Sequence, residues 1–223
     1  SNVSHDLKTP LTSMISYVDL LKKEGLDSPN APEYLDIIDK KTQRLKNLTE
    51  NLFEAAKASS GAIPVNMEAI DLSSLISQSL AEMEEKLLGR GLDIQIKNNC
   101  ENVKVMADGQ LMWRVIENIL GNVAKYALEN SRVYININEV AAKSEASKDM
   151  IILEVKNISK DPLNISADEL MERFKRGDES RNTEGSGLGL AIAKDLAKLM
   201  NGVFEITIDG DLFKATVMME EAK

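Results

Sequence analysis

The 223-residue sequence is poor in cysteine, aromatic residues and basic residues. Its one cysteine, Cys100, cannot form an internal disulfide and suits a reducing compartment. Aromatic residues make up only 4% of the chain, which disfavours a β-sandwich and favours a helix-rich protein. Lys and Arg number 27 against 36 Asp and Glu, so the formal charge is -9. This charge argues against a nucleic-acid partner, whose phosphates would be repelled.

Long apolar runs are also missing from the sequence. None approaches the roughly 20 residues that cross a bilayer, and no signal peptide opens the chain. A hydrophobic content of 43% is nevertheless enough for a substantial core. Because the sequence starts abruptly inside a helical pattern, we expect it to be a fragment of a larger protein, with no membrane segment of its own.

The first 58 residues predict two amphipathic helices, separated by a glycine- and proline-containing breaker at 25–32. Two helices cannot bury both of their apolar stripes alone. We therefore expect the hairpin to pair with a second copy in a four-helix bundle. The alternative is that it packs on the rest of its own chain. The stripes are Leu7, Leu11, Met14, Val18 and Leu21 in the first helix and Leu35, Ile38, Leu45, Leu48, Leu52 and Ala56 in the second.

Residues 59–70 lose the helical period and predict a linker. Beyond it helices and strands alternate, which is typical of an α/β sandwich in which helices cover a sheet. Asp71 is the expected N-cap of a helix that two glycines near residue 90 terminate. Asp209-Gly210 predicts the turn between two final strands. Further strands are expected at 92–97, 103–106, 132–139 and 150–156, and further helices from Asp108 to about Leu128 and from Leu188 to about Met200.

His5 is the only histidine of the chain. On a helical wheel it lies with Thr9 opposite the apolar stripe, so the imidazole is exposed and offers a neutral, nucleophilic nitrogen near pH 7. Pro10 removes the helix hydrogen bond to the carbonyl of Asp6, and the Asp6 carboxylate can orient the ring. A lone exposed histidine is otherwise an ordinary surface residue.

A polar stripe follows the predicted helix that starts at Asp108. Asn118, Asn122 and Lys125 lie within one arc, opposite the apolar face. Two carboxamides offer oxygen ligands for a hard cation, and the ammonium offers a positive charge for phosphate. A solvated helix face is the alternative, although asparagine is a mediocre helix former.

The segment Gly185-Ser-Gly-Leu-Gly-Leu190 leads directly into the last predicted helix. Glycines let a backbone approach phosphate closely, and a helix N-terminus supplies amide donors. Leu190 stands where a dinucleotide fingerprint needs glycine, and no P-loop sequence occurs. A glycine-rich turn is also a common structural feature. The polar, charged stretch at 173–184 suits a mobile lid.

Taken in order, four segments resemble the motifs of the sensor histidine kinase family. Ser4-His-Asp-Leu-Lys-Thr-Pro-Leu11 is similar to its phosphoacceptor box, and Glu117-Asn-Ile-Leu-Gly-Asn-Val-Ala-Lys-Tyr126 to its asparagine box. Arg173-Phe-Lys-Arg176 resembles the phenylalanine motif, and Gly185-Ser-Gly-Leu-Gly189 the second glycine box. The resemblance covers essentially the whole chain.

The resemblance implies an architecture and an activity. Residues 1–58 would form the dimerisation and histidine phosphotransfer domain, 59–70 the linker, and 71–223 a catalytic ATP-binding domain of the Hsp90-like type. The chain would phosphorylate itself with ATP and pass the group to an aspartate on the receiver domain of a response regulator, and it would act as a phosphatase toward that regulator. Its place would be the cytoplasmic portion of a membrane sensor, as a homodimer.

The resemblance also assigns residues. His5 would be the nucleophile, Asp6 the base that orients its ring, and Thr9 the residue that positions water during dephosphorylation. Asn122, together with Asn118, would hold Mg²⁺ against the phosphates of ATP. The full expected set of ATP-binding residues is Asn118, Asn122, Lys125, Tyr126, Asn157, Phe174, Arg176, Gly185, Gly187, Leu188 and Gly189.

The first glycine box departs from the family pattern of an aspartate followed by two glycines. Asn157 stands for the aspartate, and Ser159 and Asp161 stand for the glycines. An asparagine carbonyl can accept the hydrogen bond from the adenine amino group, but without the charge that strengthens it. We therefore expect weak ATP binding. Two alternatives stay open: a pseudokinase scaffold, and a dimer in which phosphatase activity dominates.

Overall fold

The computed structural model describes residues 2–100, 103–141, 148–164, 166–171 and 187–222, with side chains from Asp6 onward. An N-terminal helical hairpin is followed by an α/β domain. The helices are α1 (Asn2–Glu24), α2 (Ala31–Ser60), α3 (Leu72–Leu88), α4 (Gly109–Tyr126), α5 (Ala167–Met171) and α6 (Gly189–Leu199). The strands are β1 (Glu68–Asp71), β2 (Asp93–Asn98), β3 (Lys104–Ala107), β4 (Arg132–Val140), β5 (Met150–Ile158), β6 (Val203–Asp209) and β7 (Leu212–Glu220).

The turn of the α1–α2 hairpin is closed by one carboxylate. Glu24 accepts hydrogen bonds from Ser28 Oγ at 2.9 Å, Asn30 Nδ2 at 3.3 Å and the Tyr34 hydroxyl at 3.1 Å. These hydrogen bonds lower the pKa of Glu24, and the bond from Ser28 has the largest effect. Gly25 has a φ of 85°, a left-handed conformation that glycine adopts without strain. The breaker predicted from the sequence is thus a turn in which α1 ends and α2 begins.

The apolar stripes of the hairpin are only partly covered within one chain. Leu11, Val18 and Leu35 of the predicted stripes remain exposed. At the C-terminal end of α2, the buried face differs from the predicted apolar stripe. Ala55 and Ala58 are buried in the same cluster as the core of the α/β domain, whereas the predicted stripe residue Ala56 is exposed. This end of the hairpin therefore packs on its own chain.

The main sheet has five strands in the order β2-β4-β5-β7-β6. β2 pairs with β4 in parallel, and the other neighbours are antiparallel. The final hairpin turns at Gly210, whose φ is 57°, where the Asp-Gly signal predicted it. The strands and long helices expected in this part of the chain lie within two residues of their predicted limits.

Helices α3, α4 and α6 pack in one hydrophobic cluster with alternate residues of the sheet. The alternation of buried and exposed residues along β4, β5 and β7 shows that one face of the sheet is turned to this core. Asp71 caps α3 as predicted, because its Oδ1 accepts the Ser74 amide at 2.8 Å. In the part of the chain that is described, no helix is both long and apolar enough to cross a membrane.

The connection between the hairpin and the α/β domain differs from the predicted linker at 59–70. α2 continues through Ser60 and ends where Gly61, with a φ of 69°, donates to the Ala58 carbonyl. The last residues of the predicted linker form β1, which pairs with β3. Irregular chain is thus limited to 61–67, and its apolar side chains pack on the core. Neither β1 nor the short α5 was predicted, because neither has a clear period.

Candidate active site

α4 carries the asparagine-rich stripe and begins at a well-fixed position. The Asp108 carboxylate caps it, accepting the amides of Gln110 at 3.0 Å and Leu111 at 3.1 Å. The other carboxylate oxygen accepts the Asn66 amide at 2.8 Å, which ties the irregular connection to the same point. The buried face of the helix consists of Met112, Val115, Ile116, Ile119, Leu120 and Val123.

The polar stripe of α4 lies at the margin of this core. Asn118 and Asn122 are half-buried, whereas Lys125 is exposed and Tyr126 is half-buried. The helical wheel correctly placed the two asparagines away from the apolar row. Their carboxamides can therefore reach a ligand that binds beside α4.

The structure brings Asn118 to the glycine-rich turn. Asn118 Nδ2 donates to the Arg114 carbonyl at 2.8 Å, which holds the side chain along its own helix. A Cβ atom added to Gly189 would lie 2.8 Å from Asn118 Oδ1, closer than real Cβ atoms approach a neighbour. The first turn of α6 and the carboxamide of Asn118 are therefore in direct contact, and only glycine fits at position 189 without a shift of Asn118.

Gly187 and Leu188, the described residues of the glycine-rich turn before α6, have the features of an anion-binding loop. Gly187 has a φ of 66°, and Leu188, fully buried, is the residue that precedes α6. The first amides of a helix have no acceptor within that helix, and its dipole favours negative charge. The turn and α6 together can thus receive phosphate oxygens beside Asn118.

Asn157 lies at the end of the core-facing row of β5 and is only 3% exposed. Its Nδ2 donates to the Ile158 carbonyl at 3.1 Å, while its buried Oδ1 has no hydrogen-bond partner among the described residues. A buried acceptor without a partner costs free energy. An N–H group of a ligand placed here would satisfy this acceptor.

Backbone contacts join the end of β5 to the end of α4. The Lys160 amide donates to the Tyr126 carbonyl at 2.8 Å, and Ala127 forms an isolated β-bridge with Ser159. The unpartnered acceptor of Asn157 therefore belongs to the same region as Lys125 and Tyr126. The sequence predicted these residues as one site, and the fold brings their elements together.

Two charged contacts near α4 were missed by the sequence analysis. Arg90 Nη2 donates to the Ala127 carbonyl at 3.0 Å, which places a cation at the C-terminal end of the helix. At the other end Arg114 pairs with Glu54 of α2 through two hydrogen bonds. No sequence signal could have found either contact, because their partners lie far apart in the chain.

The predicted phosphoacceptor residues lie on α1. The backbone of His5 is helical, Asp6 is half-buried and Thr9 is exposed. α1 packs along α2. Three predicted site residues, Phe174, Arg176 and Gly185, lie outside the described residues.

Two family models match the chain. Residues 1–61 match the His Kinase A (phospho-acceptor) domain, and residues 107–221 match the histidine kinase-, DNA gyrase B- and HSP90-like ATPase domain. The second match alone covers more than half of the chain. The two matched segments correspond to the hairpin and to most of the α/β domain.

Curated relatives align with nearly the whole chain. Sensor histidine kinase YvrG of Bacillus subtilis is 28% identical over 209 residues, which is 92% of this chain and 35% of YvrG. Sensor protein kinase WalK of Staphylococcus aureus is 31% identical over 208 residues, 91% of this chain and 48% of WalK. The chain thus spans between a third and a half of these relatives.

Solved structures share the fold. Histidine kinase AdeS of Acinetobacter baumannii superposes with a TM-score of 0.77 and 18% identity, covering 98% of each chain. Histidine kinase ThkA was solved in complex with the response regulator protein TrrA. It superposes with a TM-score of 0.72 and 19% identity, covering 99% of this chain and 60% of ThkA. These likenesses show the shared fold, and the two family models together with the curated relatives show that the chain belongs to the sensor histidine kinases of two-component systems.

Proposed function

We propose that this chain binds ATP and transfers its γ-phosphoryl group to His5, from which the group passes to an aspartate of a response regulator. The observation that carries the proposal is the buried, unpartnered Oδ1 of Asn157 within a domain of the ATPase family. The exocyclic amino group of adenine is a donor that satisfies this acceptor. Because Nδ2 is held by the Ile158 carbonyl, the carbonyl side of the amide is the one offered to the base.

The phosphates are proposed to lie between α4 and α6. The amides of the glycine-rich turn and of the first turn of α6 would bind phosphate oxygens, and Lys125 would add a positive charge. Among the described residues, no group of three or more His, Cys, Asp or Glu is placed to hold a metal ion. Mg²⁺ would instead be held by the carboxamide oxygens of Asn122 and Asn118 together with the phosphates. When bound, it neutralises charge on the phosphates.

The proposed chemistry at α1 is an in-line displacement. The lone pair of one imidazole nitrogen of His5 forms a bond to the γ-phosphorus, the bond from that phosphorus to the bridging oxygen breaks, and ADP leaves. Asp6, one residue away, would hold the N–H of the other ring nitrogen, keep the attacking nitrogen unprotonated, and accept that proton once the bond to phosphorus has formed. Phosphoryl transfer needs positioning and charge neutralisation more than covalent chemistry, which matches a site built from amides and one lysine.

A second copy of the chain and a response regulator are the proposed partners. Large apolar side chains stay exposed on the hairpin, among them Ile15 at 55% and Phe53 at 69%, and a second hairpin would cover them in a four-helix bundle. The complex of ThkA with TrrA supports a response regulator as the acceptor. We infer that the segment is the cytoplasmic kinase portion of a longer membrane sensor, because it spans only 35% of YvrG.

Labelling with γ-labelled ATP and Mg²⁺ tests the proposed activity. We expect the wild-type protein to take up label that is acid-labile and base-stable, as a phosphohistidine is, and His5→Gln to take up none, because its carboxamide has no nucleophilic ring nitrogen. ATP affinity measured by calorimetry serves as the control and should be equal in both proteins. Label on His5→Gln would place the phosphoacceptor elsewhere.

The same calorimetry distinguishes the proposed kinase from the pseudokinase alternative. A scaffold that serves only dimerisation and docking would show no affinity for Mg-ATP even at millimolar concentration. The buried acceptor of Asn157 and the Asn118–Gly189 contact favour a working nucleotide site, since a scaffold has no physical need for either.

Phosphatase activity toward the regulator is the second proposed activity, and it rests on Thr9. This exposed hydroxyl lies one helical turn from His5, where it can position a water. We expect Thr9→Ala to slow dephosphorylation of the phosphorylated regulator about tenfold or more, because the attacking water is no longer held in position. Autophosphorylation, measured in parallel, should stay within twofold of the wild type. An equal loss of the dephosphorylation and autophosphorylation rates would show that Thr9 does not position the water.

A further inference from the structure

The end of α4 is held by Arg90, which lies in the short turn after α3. Arg90 Nη2 donates to the Ala127 carbonyl at 3.0 Å, and Nη1 donates to the Lys125 carbonyl at 3.5 Å. The carbonyl of Arg90 itself accepts the Asn130 amide at 3.1 Å. The last carbonyls of a helix have no donor within that helix. The guanidinium therefore supplies donors that the end of α4 lacks, and it lies where the helix dipole favours a cation.

The turn that carries Arg90 is itself fixed against the connection between α4 and β4. Gly91 has a φ of 65° and Asn130 a φ of 56°, both in the left-handed region. A Cβ atom added to Gly91 would collide with Asn130 Oδ1, so the two segments are in direct contact and glycine is required. The Asp93 amide donates to the Ser131 carbonyl at 3.0 Å. Arg90 thus reaches the end of α4 from a base with a defined position.

The same connection is bonded to the end of β5, where Asn157 lies. The Leu128 amide donates to the Ile158 carbonyl at 2.8 Å. The Lys160 amide donates to the Tyr126 carbonyl, also at 2.8 Å. The Ile158 carbonyl is in addition the group that orients the Asn157 amide, since it accepts a hydrogen bond from Nδ2 at 3.1 Å. A displacement of this connection would therefore shift the carbonyl that directs Asn157 Oδ1.

The surroundings of Arg90 show which of its contacts matter. The side chain is 23% exposed, and its Nε is buried without a hydrogen-bond partner among the described residues. A buried donor without a partner costs free energy, a cost that an apolar side chain of the same length avoids. The ion pair with Glu129, which is 3.4 Å away and 65% exposed, adds little in water. The bonds to the carbonyls at the end of α4 are therefore what arginine contributes at this position.

We propose that Arg90 is a positioning residue for the nucleotide: it holds the C-terminal end of α4 against the end of β5, so that Asn157 offers its acceptor to the adenine base. The proposal rests on the proposed kinase function. Arg90 acts through the backbone of the α4–β4 connection and does not itself touch ATP. Because the base and the γ-phosphorus lie at opposite ends of ATP, loosening this connection weakens nucleotide binding without slowing transfer from bound ATP.

Arg90→Met tests this role, because it removes the donors and keeps an unbranched side chain. We expect the KM for ATP in autophosphorylation and the calorimetric Kd for Mg-ATP to rise about fivefold or more, while the rate at saturating ATP stays within about twofold of the wild type. Arg90→Lys keeps one charged donor for the Ala127 carbonyl but lacks the planar fork that spans two carbonyls. Its KM should therefore lie between those of the wild type and Arg90→Met.

Two control variants separate positioning from a general loss of stability. Arg132→Met removes an exposed guanidinium of β4 and should leave the KM unchanged. Ile76→Val removes a buried methyl group from α3, so it should lower the free energy of unfolding in urea but not the ATP affinity. An unchanged KM in Arg90→Met, or an equal rise in Ile76→Val, overturns the role of Arg90. A wild-type protein without ATP affinity overturns the proposed kinase function, and this role with it.

Discussion

Gly189→Ala lowers the affinity of the protein for ATP about tenfold or more, a loss of about 1.4 kcal/mol in binding free energy. The backbone at this position does not require glycine, and alanine is the better helix former by about 1 kcal/mol. The cause is steric, because the new Cβ would lie 2.8 Å from Asn118 Oδ1. The bond from Asn118 Nδ2 to the Arg114 carbonyl holds this side chain in place, so making room for the Cβ strains that bond. The substitution thus disturbs the point where the asparagine stripe meets the phosphate-facing turn.

Calorimetric titration with Mg-ATP measures this effect, and Gly121→Ala is its matched control. Gly121 lies in α4, and an added Cβ there meets nothing within 4 Å, so the same chemical change should leave ATP affinity unchanged. The double variant Asn118→Ala with Gly189→Ala should bind ATP no more weakly than Asn118→Ala alone, because the clash is then gone. Wild-type affinity in Gly189→Ala would show that the phosphates lie elsewhere.

The sequence predicted helix α4 and the glycine-rich turn before α6, but it did not predict the contact between them. Asn118 and Gly189 were each recognised, the first from a polar stripe on an amphipathic helix and the second from a glycine-rich turn. Their approach could not be predicted, because it depends on how α4 and α6 cross in the core. Helical periods and turn residues are local properties of the chain, whereas helix crossings are not.

The same limit explains why the contact between Arg114 and Glu54 and the buried face at the end of α2 were not predicted. The predicted stripe included Ala56, since a single helical period was continued to the end of the helix. In the structure Ala55 and Ala58 are buried instead, because this end packs on the α/β domain. Glu54 and Arg114 are 60 residues apart in the chain, and neither residue has a local signal for its partner. Contacts between domains are set by surfaces that a sequence pattern does not relate to each other.

Asn157→Leu is expected to change stability and nucleotide binding in opposite directions. Replacing the carboxamide by an apolar group of similar size removes the unpartnered Oδ1, whose burial costs about 1–3 kcal/mol. The Ile158 carbonyl loses the Asn157 donor but keeps the Leu128 amide at 2.8 Å. The free energy of unfolding should therefore rise, by about 1 kcal/mol. ATP affinity should fall at least tenfold, because the adenine amino group no longer has its acceptor.

Urea unfolding measures the change in the free energy of unfolding, and calorimetric titration with Mg-ATP on the same preparation measures the change in ATP affinity. Asn136→Leu is the matched control: Asn136 lies on β4 among residues that alternate with the buried row, so the same substitution should leave ATP affinity unchanged. If Asn157 served only packing, its replacement would lower the free energy of unfolding and would leave the ATP affinity unchanged. Lower stability with unchanged affinity in Asn157→Leu would therefore assign Asn157 to the core. Higher stability with lost affinity identifies an acceptor whose cost in the free protein is offset only when the base is bound.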